Sequence, residues 1–209
     1  MREFIINEKE LLYYLFSNDY IGKGSFGIVC RYNKDDLIKI YYRDIFSTYI
    51  TKDASKLNEE IDLLKEITNY RLINKEVYEL NVLKLKKLYE LNLIKGITLY
   101  HDWHIGTIIP YYKDYNKLSS IDDRLTKNEL LLILNKVKEN LETLIDNNLY
   151  PSDIREDNIL VRESDLEVKL IDLDDIYTRY EEKNYVKEHP YIRDECYEKF
   201  KVLKRRLYL

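Results

Sequence analysis

Ile21-Gly22-Lys23-Gly24-Ser25-Phe26-Gly27-Ile28-Val29 holds three of the five glycines in a chain of 209 residues. A glycine-poor chain has gathered its backbone freedom into one turn. Glycine permits positive φ and lets another molecule approach the main chain without a Cβ in the way, and cradling a polyphosphate calls on both. The G-x-G-x-x-G spacing occurs in two arrangements, so the residues after the last glycine decide between them. A dinucleotide-binding unit would open a helix there and carry an acidic residue about 20 positions on. Here Ile28-Val29-Cys30-Arg31-Tyr32 is β-branched and aromatic, Asn33-Lys34-Asp35-Asp36 has turn chemistry, and Leu37-Ile38-Lys39-Ile40-Tyr41 reads as a second strand. The pattern predicts a hairpin closing over a ligand rather than a strand feeding a helix.

Outward from this hairpin, residues 52–68 repeat apolar side chains with helical period, Leu57, Ile61, Leu64 and Ile67 on one face, and Glu60 lies beside that stripe. Residues 127–148 form a second periodic segment, with Leu130, Leu134, Val137, Leu141 and Leu144 on one seam and Thr126 as N-cap. Then comes Tyr150-Pro151-Ser152-Asp153-Ile154-Arg155-Glu156-Asp157-Asn158-Ile159-Leu160-Val161, in which Asp and Asn stand five positions apart before a short apolar strand. Val168-Lys169-Leu170-Ile171-Asp172 is another apolar strand that ends in a carboxylate. Two polar sites joined by a short hairpin can converge on one cation, whereas scattered acidic residues need not.

In this order the segments resemble the protein kinases, whose set is a glycine-rich loop, a strand lysine, a helix glutamate, an Asp-x4-Asn loop and a metal-binding Asp. The resemblance runs through most of the chain. It implies an α+β fold of the bilobal protein-kinase-like type: an antiparallel-sheet N-lobe over 1–109, a hinge at 110–114, and a reduced, mostly helical C-lobe over 115–209. It implies ATP and Mg²⁺ as cofactors. Gly22, Lys23, Gly24, Ser25, Phe26, Gly27 and Val29 would cover the phosphates, and Lys39 would grip them with Glu60 as its partner and Glu59 as second choice. Pro110, Tyr111 and Tyr112 would meet the adenine edge. Asp153 would orient the acceptor hydroxyl, Arg155 would set a cation near the transferred group, and Asn158 and Asp172 would hold the metal.

The chain departs from the family at informative places. Pro151-Ser152 replaces the His-Arg before the catalytic Asp, so the usual docking point for a phosphorylated activation loop is absent. Arg155 stands where the family usually carries Lys, and Leu173-Asp174 replaces Phe-Gly after the metal Asp. No A-P-E motif follows, and residues 175–209 are few for an activation segment plus further helices. Residues 185–207 suffice for one helix, with Lys201, Lys204, Arg205 and Arg206 suited to its C-terminal end. The small size is similar to that of minimal kinases that some bacteria deliver into host cells, such as the HopBF-type effectors. The leading expectation is a Ser/Thr protein kinase acting on a protein substrate, a host protein if the chain is such an effector. A small-molecule kinase of the aminoglycoside or choline phosphotransferase type is the alternative, since Asp172-Leu173-Asp174 also fits its metal motif, and a pseudokinase scaffold is the third.

Residues 97–102 and 107–109 read as strands, with Trp103-His104-Ile105-Gly106 turning between them. His101 and His104 have metal-like spacing, but without a cysteine pair they read as part of that turn. Residues 69–92 form an insertion in which Val77, Leu80, Leu83 or Leu88, and Leu91 predict an added amphipathic helix. With 45% hydrophobic residues, the chain can bury one bilobal core. A net charge of −4 and a pI near 5.6 give no reason to expect a nucleic-acid partner. No apolar run spans a bilayer, the N-terminal residues lack a Sec-type signal, and two cysteines are too few for a disulfide framework. A cytoplasmic or host-cytosolic monomer without a membrane partner is therefore expected. The many Tyr, Lys, Asn and Ile residues suggest an AT-rich coding bias, which weakens any functional reading of the 21 tyrosines.

Overall fold

A computed structural model describes residues 1–16, 18–23, 27–41, 75–100, 103–173, 176–177, 181–182, 185–186 and 191–208. The chain is α+β and divides into two units, Met1–Tyr112 and Lys113–Leu209. In the first unit β1 (Glu3–Ile5), α1 (Glu8–Phe16), β2 (Tyr20–Lys23), β3 (Gly27–Arg31), β4 (Asp36–Tyr41), α2 (Lys75–Glu90), β5 (Gly96–Tyr100) and β6 (Trp103–Pro110) follow one another. The strands form one sheet in the order β1-β5-β6-β4-β3-β2. It contains the predicted hairpin: Asn33 Oδ1 accepts hydrogen bonds from the N–H groups of Asp35 at 2.8 Å and Asp36 at 2.9 Å, an Asx turn that reverses the chain. β3 and β4 then pair antiparallel, Val29 opposite Lys39.

Ile28, Cys30, Ile38, Ile40 and Ile108 alternate along these strands onto one face, where they pack with Leu11, Tyr14 and Leu15 of α1. Asn7 caps α1 through a reciprocal bond with Glu10, and the Cys30 thiol donates to the Tyr14 carbonyl, fixing the helix on the sheet.

Two expectations need correction in this unit. The sheet is mixed rather than antiparallel, because β1 pairs parallel with β5. Three residues carry too little periodicity to announce β1. What admits it is Gly96, where a Cβ would lie 2.5 Å from the Arg2 carbonyl oxygen and 2.6 Å from the Phe4 ring. The residues 103–106 are not a turn: they begin β6 and pair with β5, with a register shift at Thr98/Leu99. The inserted helix spans Lys75–Glu90, and it buries Leu85 and Leu88 while Leu83 is exposed. It stops at Asn92, whose φ of 57° is the left-handed conformation that asparagine tolerates, with the Leu93 N–H donating to the Leu88 carbonyl. The helix expected over 52–68, with Glu59 and Glu60, lies outside the described residues, as do His101 and the start of the insertion.

The second unit contains β7 (Asn116–Lys117), α3 (Lys127–Asp146), β8 (Tyr150–Pro151), β9 (Ile159–Arg162), β10 (Glu167–Leu170), β11 (Ile176–Tyr177), β12 (Glu181–Glu182), β13 (Tyr185–Val186) and α4 (Ile192–Tyr208). Its strands make three small sheets, β10-β9-β7, β11-β8 and β12-β13. α3 begins at Thr126 in a full capping box with Glu129 and buries Ile133, Leu134, Val137, Leu141, Leu144 and Ile145. α4 starts seven residues later than the 185 expected. Pro190 explains the delay, since a proline there would remove a helical N–H and clash with the carbonyl four residues back. Among the described residues no helix is long and apolar enough to cross a membrane.

Thr126→Ala removes the side-chain half of the capping box that orders the main helix of this unit, while the backbone N–H of residue 126 can still donate to Glu129. The expected result is a loss of about 1 kcal/mol in urea unfolding with unchanged far-UV circular dichroism.

Candidate functional site

Asp153 follows β8, and its neighbours are fixed by short-range bonds. The Asn158 side-chain nitrogen donates to the Asp153 carbonyl at 3.1 Å and to its Oδ2 at 3.0 Å. Arg155 Nε donates to the same Oδ2 at 3.0 Å. Asp153 and Arg155 are about half exposed, whereas Asn158 is buried. Both amide hydrogens of Asn158 serve Asp153, which leaves the amide oxygen as the atom able to meet a cation.

Asp172 is brought to this loop by a hairpin. β9 and β10 pair antiparallel from Arg162 opposite Glu167 to Ile159 opposite Leu170. Just beyond the ladder the Ile171 N–H donates to the Asn158 carbonyl at 2.9 Å, so Asp172 is one residue from that bond. Asp172 is exposed and has φ of 60°, a left-handed conformation that Asp adopts more readily than most residues. Pro151, Asp153, Arg155, Asn158, Ile171 and Leu173 border a small open depression.

The far end of the hairpin is held by a polar network. Arg162 grips Asp165 at 2.9 and 2.7 Å and also pairs with Glu167; Tyr115 donates to Glu167 at 2.7 Å, and Lys169 pairs with it at 2.7 Å. The hydrogen bond from Arg162 holds the Asp165 carboxyl down at about 2. Burial, followed by the bond to Glu167, pushes the Tyr115 phenol up to about 12. Leu166 takes φ of 54° in the turn, and Lys136 of α3 donates to its carbonyl at 2.9 Å.

The loop also has partners the sequence reading missed. Cys196 of α4 donates to the Pro151 carbonyl at 3.3 Å, Lys199 donates to the Ser152 carbonyl, Arg206 pairs with Glu156 at 3.6 Å, and Ser119 donates to Asp157 at 2.7 Å. Burial pushes the Cys196 thiol up to about 11, with Lys199 pulling weakly the other way, so it remains a donor. The spacing Ile192, Cys196, Phe200, Leu203 signals a buried helix face, but nothing in the sequence says that this face meets a loop more than 40 residues earlier.

In the first unit, Gly22 and Lys23 end β2, Gly27 opens β3, and Val29 pairs with Gly22 on one side and Lys39 on the other. Lys39 in turn stands opposite Thr107 of β6. Gly22, Val29, Lys39 and Thr107 therefore form one row across the sheet, on the face opposite α1. Lys39 is buried in an interior strand, not solvated at an edge. Gly24, Ser25 and Phe26 lie outside the described residues, and so does Asp174.

Two details modify the expected roles. Gly22 and Gly27 do not have positive φ. A Cβ on Gly27 would sit 2.4 Å from the Ile40 carbonyl oxygen, so strand pairing itself requires glycine there, whereas one on Gly22 would meet, among the described residues, only Val29 Cβ at 4.0 Å. At the segment read as a hinge, Pro110 has no N–H and Tyr111 gives its own to the Asp35 carbonyl at 2.9 Å, with the Arg31 guanidinium 4.4 Å over the Tyr111 ring. Neither residue can supply a backbone donor to a base.

No protein-family model matches the chain, and no curated protein matches it. Among the described residues no group of three or more His, Cys, Asp and Glu side chains is placed to hold a metal ion. Asn158 and Asp172 each offer an oxygen, the donor type that a hard cation such as Mg²⁺ takes while keeping waters and phosphate oxygens.

Gly27→Ala is expected to cost about 1–3 kcal/mol in unfolding experiments, as overpacking does, while Gly22→Ala leaves stability unchanged. Because the Cys196 thiol titrates at about 11 in the folded chain against an ordinary value of 9.0, the folded state keeps its proton longer. Its contribution to stability is whole below pH 9 and is lost as pH rises toward 11. Urea midpoints measured across that range should fall less steeply in Cys196→Ser than in the unaltered chain.

Proposed function

We propose that this protein is a phosphotransferase of bilobal protein-kinase-like fold that uses ATP and Mg²⁺ to phosphorylate a Ser or Thr hydroxyl of a protein. The observation that carries the reading is the double engagement of Asn158. Its side chain is committed to Asp153 and its backbone carbonyl to the residue before Asp172, which couples the three polar residues such a reaction needs.

In this reading, Asp153 positions the acceptor. A carboxylate offers about four lone-pair directions, and Oδ2 already serves Asn158 and Arg155, so Oδ1 is the atom suited to accept the hydroxyl hydrogen. Arg155 orients that carboxylate, and its guanidinium places positive charge beside the reacting groups. Asn158 and Asp172 would hold Mg²⁺, which supplies neutralisation of phosphate charge. Lys39 would grip the phosphates from the sheet face opposite α1, where burial of its stem limits the positions its ammonium can take. Gly22 supports a ligand approaching that same row, since neither its φ nor its described neighbours demand glycine.

The test is transfer of labelled γ-phosphate with Mg²⁺ into a cell lysate. Asp172→Asn is the control of choice, because asparagine tolerates the left-handed backbone while losing the charge. Label on protein is expected from the unaltered chain, with a fall of about 100-fold or more in Asp172→Asn, Asp153→Asn and Lys39→Ala at unchanged fold. Label found only on small molecules, or equal activity in the variants, would overturn the assignment.

A further inference from the structure

The loop that carries Asp153 is gripped by α4 through backbone carbonyls. Ile192, Cys196 and Leu203 are buried on one face of this helix, and Lys199 follows Cys196 by one helical turn. That face delivers two donors to two successive acceptors: the Cys196 thiol to the Pro151 carbonyl at 3.3 Å and the Lys199 ammonium to the Ser152 carbonyl. Further along the same helix, Arg206 reaches Glu156 at 3.6 Å. Ile154, between these contacts, packs against two apolar clusters of the second unit. The side chains of Pro151 and Ser152 cannot supply what a His-Arg pair would, so their carbonyls become the points by which the loop is held.

We infer that Lys199, assisted by Cys196, is a positioning residue that fixes the backbone immediately before Asp153 and so sets where the Asp153 carboxylate stands. The inference rests on the phosphotransfer reading only for its kinetic consequence, since the anchoring can be measured without turnover. Lys199 suits the role because a cation makes the stronger hydrogen bond to a carbonyl, and because its length lets it reach from an exposed helix position. Burial keeps the Cys196 thiol protonated over the neutral range, so its donation to Pro151 does not vary there.

Lys199 is exposed, so replacing it removes the contact without opening the core. The full chain, Lys199→Ala and Lys199→Arg would be compared by amide hydrogen exchange and by steady-state phosphotransfer. Loss of the ammonium should speed exchange of the amides of 152–158 and of Ile171 by about 5-fold or more, while α3 and the melting temperature stay as they were. The catalytic constant should fall about 10-fold with KM for ATP within about 2-fold, the mark of a displaced carboxylate rather than lost nucleotide binding. Lys199→Arg, which keeps a cationic donor, should restore both readouts. Unchanged exchange at 152–158 in Lys199→Ala would overturn the anchoring whatever the activity. Absence of transfer by the unaltered chain would overturn the phosphotransfer reading and leave the exchange result to decide the anchoring on its own.

Discussion

The register of the β9–β10 hairpin is the constraint on which the candidate site depends. Ile159 opposite Leu170 puts Asn158 and Ile171 just outside the ladder, where one backbone bond joins them. A slip of one residue would turn Val161 or Val168 out of the core and part the Ile171 N–H from the Asn158 carbonyl. The register is therefore enforced twice, by apolar burial on one side and at the turn by Arg162, Asp165, Glu167 and Lys136. The ion pairs at the turn are exposed and contribute little energy individually. Their value lies in geometry, because a turn with Leu166 in a left-handed conformation needs its carbonyls held.

Each unit assembles its own part of the proposed chemistry by different means. In the first, a row of residues crosses a sheet whose other face is sealed by α1, so Lys39 gains a low-dielectric base for its stem and a defined line of approach. In the second, the polar residues lie on irregular backbone between short strands. Irregular backbone has no ladder to order it, and the bonds to Asp153, Asp157 and Asn158 substitute for one.

Local chemistry was legible in the sequence, and distant pairing was not. Asn33 and Asp36 announced the β3–β4 turn, Thr126 announced the start of α3, and the apolar runs before Asp172 announced β10, because each depends on neighbours within a few residues. β1 was missed because its partner β5 lies more than 90 residues away and a parallel pairing leaves no turn signal. Residues 103–106 read as a turn in the sequence, yet they pair with β5, and the lack of a Cβ at Gly106 serves a close approach to the Lys39 carbonyl, 2.0 Å from where that atom would be. The Asp153–Asn158 spacing showed itself as a motif, but the Tyr111 N–H given to Asp35 and the donors from α4 arise only in three dimensions.

Anchoring through carbonyls has a consequence for how such a loop can change over time. A hydrogen bond to a main-chain oxygen is indifferent to the side chain on that residue, so positions 151 and 152 can vary as long as α4 keeps its donors. The grip is encoded on the helix rather than in the loop it grips. Descendants of this chain could lose all similarity in the two residues before the aspartate and still hold it in place.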